Sequence, residues 1–209
     1  MRNLRFLPIF AGLLIAGMAF AQTPAPKASP KSQWKKATFA GGCFWSMQVP
    51  FDKVKGVSQT EVGFSTAWRK SPGPEQSSRG RGDAVESIEI TFDPAQVGYE
   101  QLLEIYWHNI DPTQDNGQFA DIGPQYRTYI FVHDEDQRKM AEASKEQLAQ
   151  SGRFTRPIAV KIAAVSPFRP AEEFHQKYAK KNPSDYYEYA EGSGRYPFIR
   201  RVWGIDPRK

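Results

Sequence analysis

The hydrophobic and polar positions of this chain fall into segments with two different periods. Alternating or continuous apolar residues predict β-strands over 37–40, 57–64, 85–92, 126–132 and 158–165. Apolar residues that recur every three or four positions predict helices over 44–53, 99–109, 135–150 and 171–181. A long connection joins two successive strands, which disfavours a doubly wound parallel fold. We therefore predict an α+β fold, a single-domain two-layer sandwich in which helices cover a mixed β-sheet.

The N-terminal residues have the composition of a targeting segment rather than of a folded domain. Two arginines precede an apolar run over 6–20, and Ala19-Phe20-Ala21 fits the small-residue pattern of a cleavage site. The alternative is an uncleaved membrane anchor, which is disfavoured because the run is shorter than the ~20 residues that span a bilayer. We expect the chain to be exported, either to a periplasm, which we favour, or outside the cell, with no stable membrane insertion after cleavage.

These features divide the chain into three parts. We predict a signal peptide over 1–21, a flexible linker rich in Pro, Ala and Lys over 22–33, and one globular domain over 34–209. A domain of this size has room for a hydrophobic core. The net charge of +5 is spread along the chain without a concentrated run of Lys or Arg. We therefore expect a protein that does not bind nucleic acid, and we expect it to be a monomer.

Cys43 is the single cysteine of the chain, so it cannot form an intramolecular disulfide. It lies between Gly41-Gly42 and Phe44-Trp45, where a predicted strand gives way to a predicted helix. At an exposed helix N-terminus the macrodipole stabilises a thiolate, so we expect the pKa of this thiol to be lowered. Two aromatic rings beside a nucleophile indicate an apolar slot for a small group such as a methyl. The alternative is that Cys43 is a small buried hydrophobe and that the rings are ordinary core.

Glu86 is the second candidate, because it lies on the otherwise apolar face of the strand predicted over 85–92. A buried charge is costly unless it is paired or neutralised, and partial burial raises a carboxyl pKa toward neutrality. A carboxyl of that kind suits general acid catalysis. The alternative is a surface position at the end of the strand.

A third group of polar residues lies in and after the loop that follows the second predicted helix. Asp121 can accept a hydrogen bond there, and Tyr126 can donate one near the start of the next predicted strand. His108 and Asp111 could suggest a metal site, but the three histidines of the chain are widely spaced, which makes that interpretation weak. His175 is better explained as a structural histidine whose hydrogen bonds are satisfied.

Five sequence blocks together resemble the methionine sulfoxide reductase A family, across roughly residues 38–178. In the order of that family they are Gly42-Cys43-Phe44-Trp45, Glu86 seven residues before Asp93-Pro94, His108-Asn109-Ile110-Asp111-Pro112-Thr113, Asp121-Ile122-Gly123-Pro124-Gln125-Tyr126-Arg127 and Ala171-Glu172-Glu173-Phe174-His175-Gln176. The first block alone is moderately specific, whereas chance does not readily produce five blocks in one order. The α+β sandwich of that family agrees with the fold predicted from the periodicity. Because the chain has a single cysteine, it resembles the one-cysteine type of this family.

The resemblance implies a role for each candidate residue. Cys43 would attack the sulfoxide sulfur, and Glu86 would protonate the sulfoxide oxygen. Phe44 and Trp45 would line the pocket for the S-methyl group of the substrate. Collapse would release methionine and leave a sulfenic acid on the cysteine, the first reversible step of cysteine oxidation.

Two further residues would hold the substrate through hydrogen bonds, namely Asp121 and Tyr126. The family often has another tyrosine upstream of the acid, but gapless counting from Glu86 places Pro74 there, so one hydrogen bond to the substrate oxygen could be missing. Loss of one such donor typically costs about a hundredfold in rate. Three tyrosines of the C-terminal tail could compensate: Tyr186, Tyr187 and Tyr189.

The resemblance also implies the substrate and the partners. The substrate would be methionine-S-sulfoxide, free or within oxidised proteins, and no cofactor would be bound. An external thiol reductant would recycle Cys43, either a thioredoxin-like or glutaredoxin-like protein or a small thiol. One alternative is a non-catalytic protein of the same fold that binds oxidised methionine or a peptide. A second alternative is a thiol protein that reduces peroxide, although two aromatic rings suit an organic substrate better.

Overall fold

The computed structural model describes residues 33–66 and 84–208. The predicted signal peptide, residues 22–32 of the predicted linker, and Pro74 lie outside the described residues, so those expectations remain predictions. No helix within the described ranges is both long enough and apolar enough to cross a membrane.

The described residues form eight strands, six α-helices and two short 3-10 helices. The strands are β1 (Lys35–Gly41), β2 (Val57–Thr66), β3 (Ala84–Phe92), β4 (Gly117–Gln118), β5 (Asp121–Ile122), β6 (Thr128–Val132), β7 (Lys161–Ala164) and β8 (Arg169–Pro170). The α-helices are α1 (Phe44–Phe51), α2 (Tyr99–His108), α3 (Glu135–Gln150), α4 (Tyr178–Lys181), α5 (Pro183–Gly192) and α6 (Arg195–Trp203). The 3-10 helices are Pro124–Tyr126 and Glu173–His175.

Six of the strands form one sheet, in the order β7-β6-β1-β3-β2-β8, while β4 and β5 pair separately as a short hairpin. Strands β6 and β7 run parallel, and the other neighbours in the sheet are antiparallel. The α+β fold with a mixed sheet and flanking helices is therefore confirmed. Strand β1 lies inside the sheet, where Phe39 is opposite Ile88 of β3 on one side and Ile130 of β6 on the other.

An aromatic cluster anchors the first two helices to the central strand. The ring of Phe39 in β1 stacks on Phe51 of α1, Tyr99 of α2 and Tyr106 of α2, with centroid separations of 5.6, 6.0 and 5.0 Å. All four side chains are buried. Large aromatic side chains dominate the energetics of a core, and stacked pairs add to the gain from burial. The cluster therefore fixes the place where β1 passes into α1.

The helix predicted over 171–181 is wrong in part, because the segment contains a 3-10 turn and the one-turn helix α4. Gln176 explains the break. Its amide nitrogen donates to the carbonyls of Val62 (2.8 Å) and Ala171 (3.0 Å), and its amide oxygen accepts from the Val62 N–H (2.9 Å). The next residue, Lys177, has a left-handed φ of 55°, which a continuous helix does not allow.

The C-terminal tail, for which no element was predicted, forms helices α5 and α6. Gly194 separates them with a φ of 90°, a conformation that favours glycine. Their buried face consists of aromatic and aliphatic side chains from both helices: Tyr186, Ala190, Tyr196 and Ile199. The strand predicted over 158–165 is also shorter than expected, because the Ala159 N–H donates to the Pro112 carbonyl (2.8 Å) instead of to a neighbouring strand.

Candidate active site

The candidate site lies where β1 ends and α1 begins. Gly42 has a φ of 81°, and a Cβ atom there would lie 2.5 Å from Gln118 and 2.8 Å from the guanidinium of Arg195. The next residue, Cys43, is the N-cap of α1, and its carbonyl accepts a hydrogen bond from the Ser46 N–H (3.1 Å). The glycine turn therefore places the thiol at the start of the helix, as the sequence predicted.

The surroundings of this thiol contradict the predicted lowering of its pKa. Cys43 is only 7% exposed, so the helix start is not open to solvent. Burial, followed by the negative charge of Glu86, raises the pKa of Cys43 to about 11. A hydrogen bond from the Trp45 backbone N–H at the helix start lowers the pKa, but this effect is smaller than that of burial. The expectation of a low-pKa thiol is therefore wrong for the resting protein.

Two groups from the C-terminal helices oppose the effect of burial. A hydrogen bond from the Tyr189 hydroxyl in α5 and the positive charge of Arg195 in α6 both lower the pKa of Cys43. Both effects favour the charged thiolate, one by donating a proton in a hydrogen bond and the other by its opposite charge.

Arg195 is a buried cation that holds the turn before the thiol. It is 1% exposed, and its amino groups donate to the carbonyls of Gly41 (2.8 Å) and Asn109 (2.5 Å). The guanidinium also lies 4.8 Å from the ring centroid of Phe119 and 3.8 Å from the Met47 sulfur. Within the described residues, none of these partners is a carboxylate. The positive charge is therefore left available to act on nearby anionic groups.

Glu86 of β3 lies beside the helix start. It pairs with Phe64 of β2 in the sheet, and its carboxylate accepts a hydrogen bond from the Phe44 N–H of α1 (3.0 Å). Burial is the largest cause that raises its pKa to about 7, the hydrogen bond from Phe44 opposes the rise, and the charge of Asp121 adds to it. The predicted direction of the pKa is confirmed, and the alternative of a solvated strand end does not fit.

The two aromatic residues after the thiol form one packed group with a histidine. The rings of Phe44 and Trp45 lie 6.5 Å apart, and both pack on His175 at 5.1 and 5.7 Å. The Trp45 indole N–H donates to Nδ1 of His175 (3.1 Å), while its ring stacks on Tyr178 at 3.7 Å. Phe44 is buried and Trp45 half-buried. His175 has the satisfied hydrogen bond that was predicted, and it holds the indole in place.

Asp121 and Tyr126 lie at the same site. Asp121 is in β5, and its carboxylate accepts a hydrogen bond from the Tyr189 hydroxyl. Tyr126 belongs to a 3-10 helix rather than to the predicted strand, which begins at Thr128. Burial and then the charges of Glu86 and Asp121 raise the pKa of Tyr126, so it remains a neutral donor. The structure thus brings both residues close to Glu86.

Sequence reasoning missed part of this site. The sequence offered Tyr189 only as one of three equivalent tail tyrosines that could replace a missing hydrogen-bond donor, and it did not identify Arg195 as a site residue. Neither position carries a local signal, because their importance depends on how α5 and α6 fold back onto α1. A basic residue among glycines and aromatic residues, as in Gly194-Arg195-Tyr196, was the only hint available.

The residues considered for a metal site have other partners. His108 packs on Trp203 at 4.3 Å, and burial lowers its pKa. Asp111 accepts hydrogen bonds from Thr113 (2.9 Å) and Arg156 (3.2 Å). In the described part of the chain, no group of three or more His, Cys, Asp or Glu side chains is placed to hold a metal ion.

Known proteins match this chain over most of its length. A family model described as "Peptide methionine sulfoxide reductase" matches residues 35–206. A relative from Bacillus pumilus, described as "Peptide methionine sulfoxide reductase MsrA", is 50% identical over 167 residues, which cover 80% of this chain and 94% of that protein. A relative with the same description from Halalkalibacterium halodurans is 46% identical over 170 residues, which cover 81% and 97%.

Solved structures agree with the sequence matches. The reduced form of Mxr1 from Saccharomyces cerevisiae has a TM-score of 0.64 at 27% identity, over 75% of this chain and 90% of that chain. Methionine sulfoxide reductase A of Corynebacterium diphtheriae has a TM-score of 0.55 at 30% identity, over 72% and 76%. The fold and the site define a thiol-dependent oxidoreductase. The chain belongs to the peptide methionine sulfoxide reductase A family, as the five sequence blocks predicted.

Proposed function

We propose that Cys43 and Glu86 carry the chemistry of this peptide-methionine (S)-S-oxide reductase, with Cys43 as the nucleophile and Glu86 as the general acid. One observation supports both roles. The Glu86 carboxyl lies close enough to the thiol for its charge to raise the thiol pKa, while its own pKa is about 7. A carboxyl that keeps a proton near neutral pH can deliver it to a substrate oxygen. Membership of the reductase family disfavours the non-catalytic alternative.

The proposed reaction balances with these two groups alone. A sulfoxide sulfur becomes electrophilic when its oxygen is protonated or strongly hydrogen-bonded. The Cys43 thiolate bonds to that sulfur while Glu86 gives its proton to the oxygen. The oxygen then passes to the cysteine, so sulfoxide, thiolate and proton become thioether and sulfenic acid. The methionine sulfur is reduced by two electrons and the cysteine sulfur is oxidised by two.

Four residues around the thiol are proposed to hold the substrate. Phe44 and Trp45 supply the apolar surface for the S-methyl group, with their rings 6.5 Å apart. Asp121 and Tyr126 supply polar contacts to the sulfoxide and its backbone. Support comes from their position, because the charges of Asp121 and Glu86 both act on the Tyr126 hydroxyl. Hydrogen bonds that point at a developing charge contribute most in a site that excludes water.

The sulfenic acid on Cys43 is proposed to be recycled by an external thiol, because the chain has one cysteine. The thiol attacks the sulfenic acid, water leaves, and a mixed disulfide forms. A second thiol then releases Cys43. The reductant is a thioredoxin-like or glutaredoxin-like protein or a small thiol. Mxr1 from Saccharomyces cerevisiae has been solved in complex with Trx2, which supports a protein reductant.

The place of action is also proposed. The positive start, apolar run and small-residue cleavage pattern of the N-terminus support export to a periplasm. There the enzyme would repair oxidised proteins of the cell envelope, and free methionine sulfoxide would be a second substrate. We propose that the mature protein is a monomer with no nucleic-acid partner.

The test is steady-state reduction of the S and R epimers of methionine sulfoxide with dithiothreitol as electron donor. The native protein is expected to reduce the S epimer, and Cys43→Ser is expected to abolish turnover without changing the circular dichroism spectrum. Full activity of Cys43→Ser would rule out the proposed nucleophile. Binding of the sulfoxide without release of methionine would instead support the non-catalytic alternative.

A further inference from the structure

Tyr189 in the last turns of α5 connects the nucleophile with a second carboxylate. Its hydroxyl donates to Oδ2 of Asp121, and its ring contacts Trp45, two residues after Cys43. The same hydroxyl acts on the Cys43 thiol as a donor that lowers the thiol pKa. We propose that Tyr189 is a further catalytic residue, whose hydroxyl donates to the Cys43 sulfur while Asp121 provides an alternative acceptor. This inference rests on the proposed role of Cys43 as nucleophile.

The backbone holds this arrangement in place. Helix α5 ends beside the β4–β5 hairpin that carries Asp121, and the Ala120 N–H of the hairpin donates to the Ser193 carbonyl at the end of the helix (3.1 Å). Tyr189 and Asp121 are therefore linked by a side-chain and by a nearby backbone hydrogen bond. Two links at neighbouring positions leave little freedom for the hydroxyl to leave the site.

The tyrosine ring also packs against an aromatic neighbour. It meets the Trp45 ring edge-on, with a centroid separation of 6.4 Å and an interplanar angle of 84°. Trp45 is itself fixed by its stacking on Tyr178 and its hydrogen bond to His175. The hydroxyl of Tyr189 is thus positioned by packed rings, which is the condition for a hydrogen bond that contributes to catalysis.

The hydroxyl has one proton and two acceptors that compete for it. A neutral thiol is a weak acceptor, so the resting hydroxyl bonds to the Asp121 carboxylate. A thiolate is a strong, charged acceptor, so ionisation of Cys43 allows the hydroxyl to turn toward sulfur. Burial, followed by the charges of Cys43 and Asp121, raises the pKa of Tyr189, which keeps it protonated as a donor. The hydroxyl therefore stabilises the nucleophile at the moment when it forms.

The other two tyrosines of the tail are placed differently. The Tyr186 hydroxyl accepts a hydrogen bond from Tyr196 (3.3 Å) inside the core between α5 and α6. Tyr187 is 39% exposed, and its ring packs on Tyr186 and Tyr196. Tyr187 is therefore a matched control for Tyr189, because it lies on the same helix and has the same side chain.

The experiment compares Tyr189→Phe with Tyr187→Phe, since each change removes one hydroxyl and keeps the ring. Cys43 is the only cysteine, so the rate of alkylation by iodoacetamide at a fixed, mildly alkaline pH reports its thiolate fraction directly. Tyr189→Phe is expected to slow alkylation about tenfold, as for loss of one hydrogen bond to a charged group. Tyr187→Phe is expected to match the native protein. Equal alkylation rates in the two folded variants would overturn the inference.

A second pair of variants guards against a structural effect of the substitution. Asp121→Asn weakens the competing acceptor, so it is expected to speed alkylation when Tyr189 is present and to have less effect in the Tyr189→Phe background. Strictly additive effects would contradict the shared hydroxyl. Methionine release by the native protein is measured in the same samples. Its absence would contradict the proposed reductase mechanism, whereas the alkylation rates decide the role of Tyr189.

Discussion

The sheet and the C-terminal helices beside Cys43 act on the pKa of its thiol in opposite directions. On the sheet side, the charge of Glu86 in β3 adds to burial and raises the thiol pKa. On the helix side, the hydroxyl of Tyr189 in α5 and the guanidinium of Arg195 in α6 lower it. In the proposed mechanism, the sheet side therefore supplies the acid, and the helix side supplies the groups that favour a nucleophile.

The difference shows that burial serves the two reacting groups unequally. Burial raises the pKa of Glu86 to about 7, which would keep a proton available for the sulfoxide oxygen in the proposed mechanism. The same effect raises the pKa of Cys43 to about 11, which leaves little thiolate at neutral pH. A site that excludes water for its acid thus needs opposite charge and donors for its thiol. The C-terminal helices, remote in sequence from Cys43, provide them.

The largest effect on activity is expected from Glu86→Gln, which removes the charged group of the sheet side and leaves the helix side unchanged. Loss of the general acid should lower kcat/KM by about 10²–10⁴-fold. Loss of the negative charge should lower the thiol pKa, so alkylation of Cys43 should become faster than in the native protein. Kinetics of methionine-S-sulfoxide reduction and of iodoacetamide alkylation measure the two effects. A parallel decrease in both rates would mean that Glu86 does not oppose ionisation of the thiol.

A smaller effect is expected from Arg195→Met, which removes the cation on the helix side. Without it the thiol pKa rises, and alkylation at a fixed pH below 11 should slow about tenfold, the factor for one pKa unit. The carbonyls of Gly41 and Asn109 also lose their donors, so the melting temperature should fall. Arg195→Lys keeps the charge and is the control. Similar alkylation rates in Arg195→Met and Arg195→Lys, both folded, would show that the positive charge does not lower the pKa of Cys43.

The pH dependence of kcat/KM sharpens the comparison further. In the proposed mechanism, the reactive form carries a proton on Glu86 and none on Cys43. Below about 7 the acid is fully protonated and the thiolate fraction grows with pH, so kcat/KM should rise about tenfold per pH unit. Between about 7 and about 11 the loss of acid offsets the gain of thiolate, so the profile should level off. A profile that falls steadily from pH 7 upward would contradict a thiol pKa near 11.

The smallest effect is expected at His175, which contacts neither acid nor thiol directly. His175→Phe keeps the ring against Phe44 but removes the acceptor for the Trp45 indole N–H. We expect KM to rise by roughly two- to tenfold, as for one neutral hydrogen bond, with the alkylation rate of Cys43 unchanged. Steady-state kinetics with methionine-S-sulfoxide and alkylation of the free enzyme provide the two readings. A change in alkylation would place His175 among the groups that govern the thiol.

Local sequence patterns predicted the parts of the fold that depend on local periodicity. The bounds of α3 match the predicted 135–150, and α2 differs from the predicted 99–109 by one residue. The segment 171–181 could not be predicted, because Gln176 bonds to β2 rather than to its own neighbours. Helices α5 and α6 were missed because aromatic residues occur on exposed and buried faces alike, so no clean period results.

The candidate site also has features that the local sequence indicates and features that depend on the assembled fold. Cys43 and Glu86 could be proposed from one turn and one strand, because local patterns place the thiol at a helix start and the carboxyl on an apolar strand face. The pKa of the Cys43 thiol could not be predicted in this way. The lowering of the pKa at a helix start is a local effect, whereas burial and the charge of Glu86 depend on the assembled fold. Tyr189 and Arg195 reach the thiol only through the packing of α5 and α6, which no short pattern encodes.

The central claim is that Cys43 attacks the sulfoxide and retains its oxygen as a sulfenic acid. Single-turnover reduction of methionine-S-sulfoxide by the reduced protein, without added thiol, tests it most directly. The account predicts about one methionine per protein, with a sulfenic acid trapped on Cys43 and detected by mass spectrometry. No release of methionine from folded protein that still binds the sulfoxide, or release without oxidation of Cys43, would contradict it.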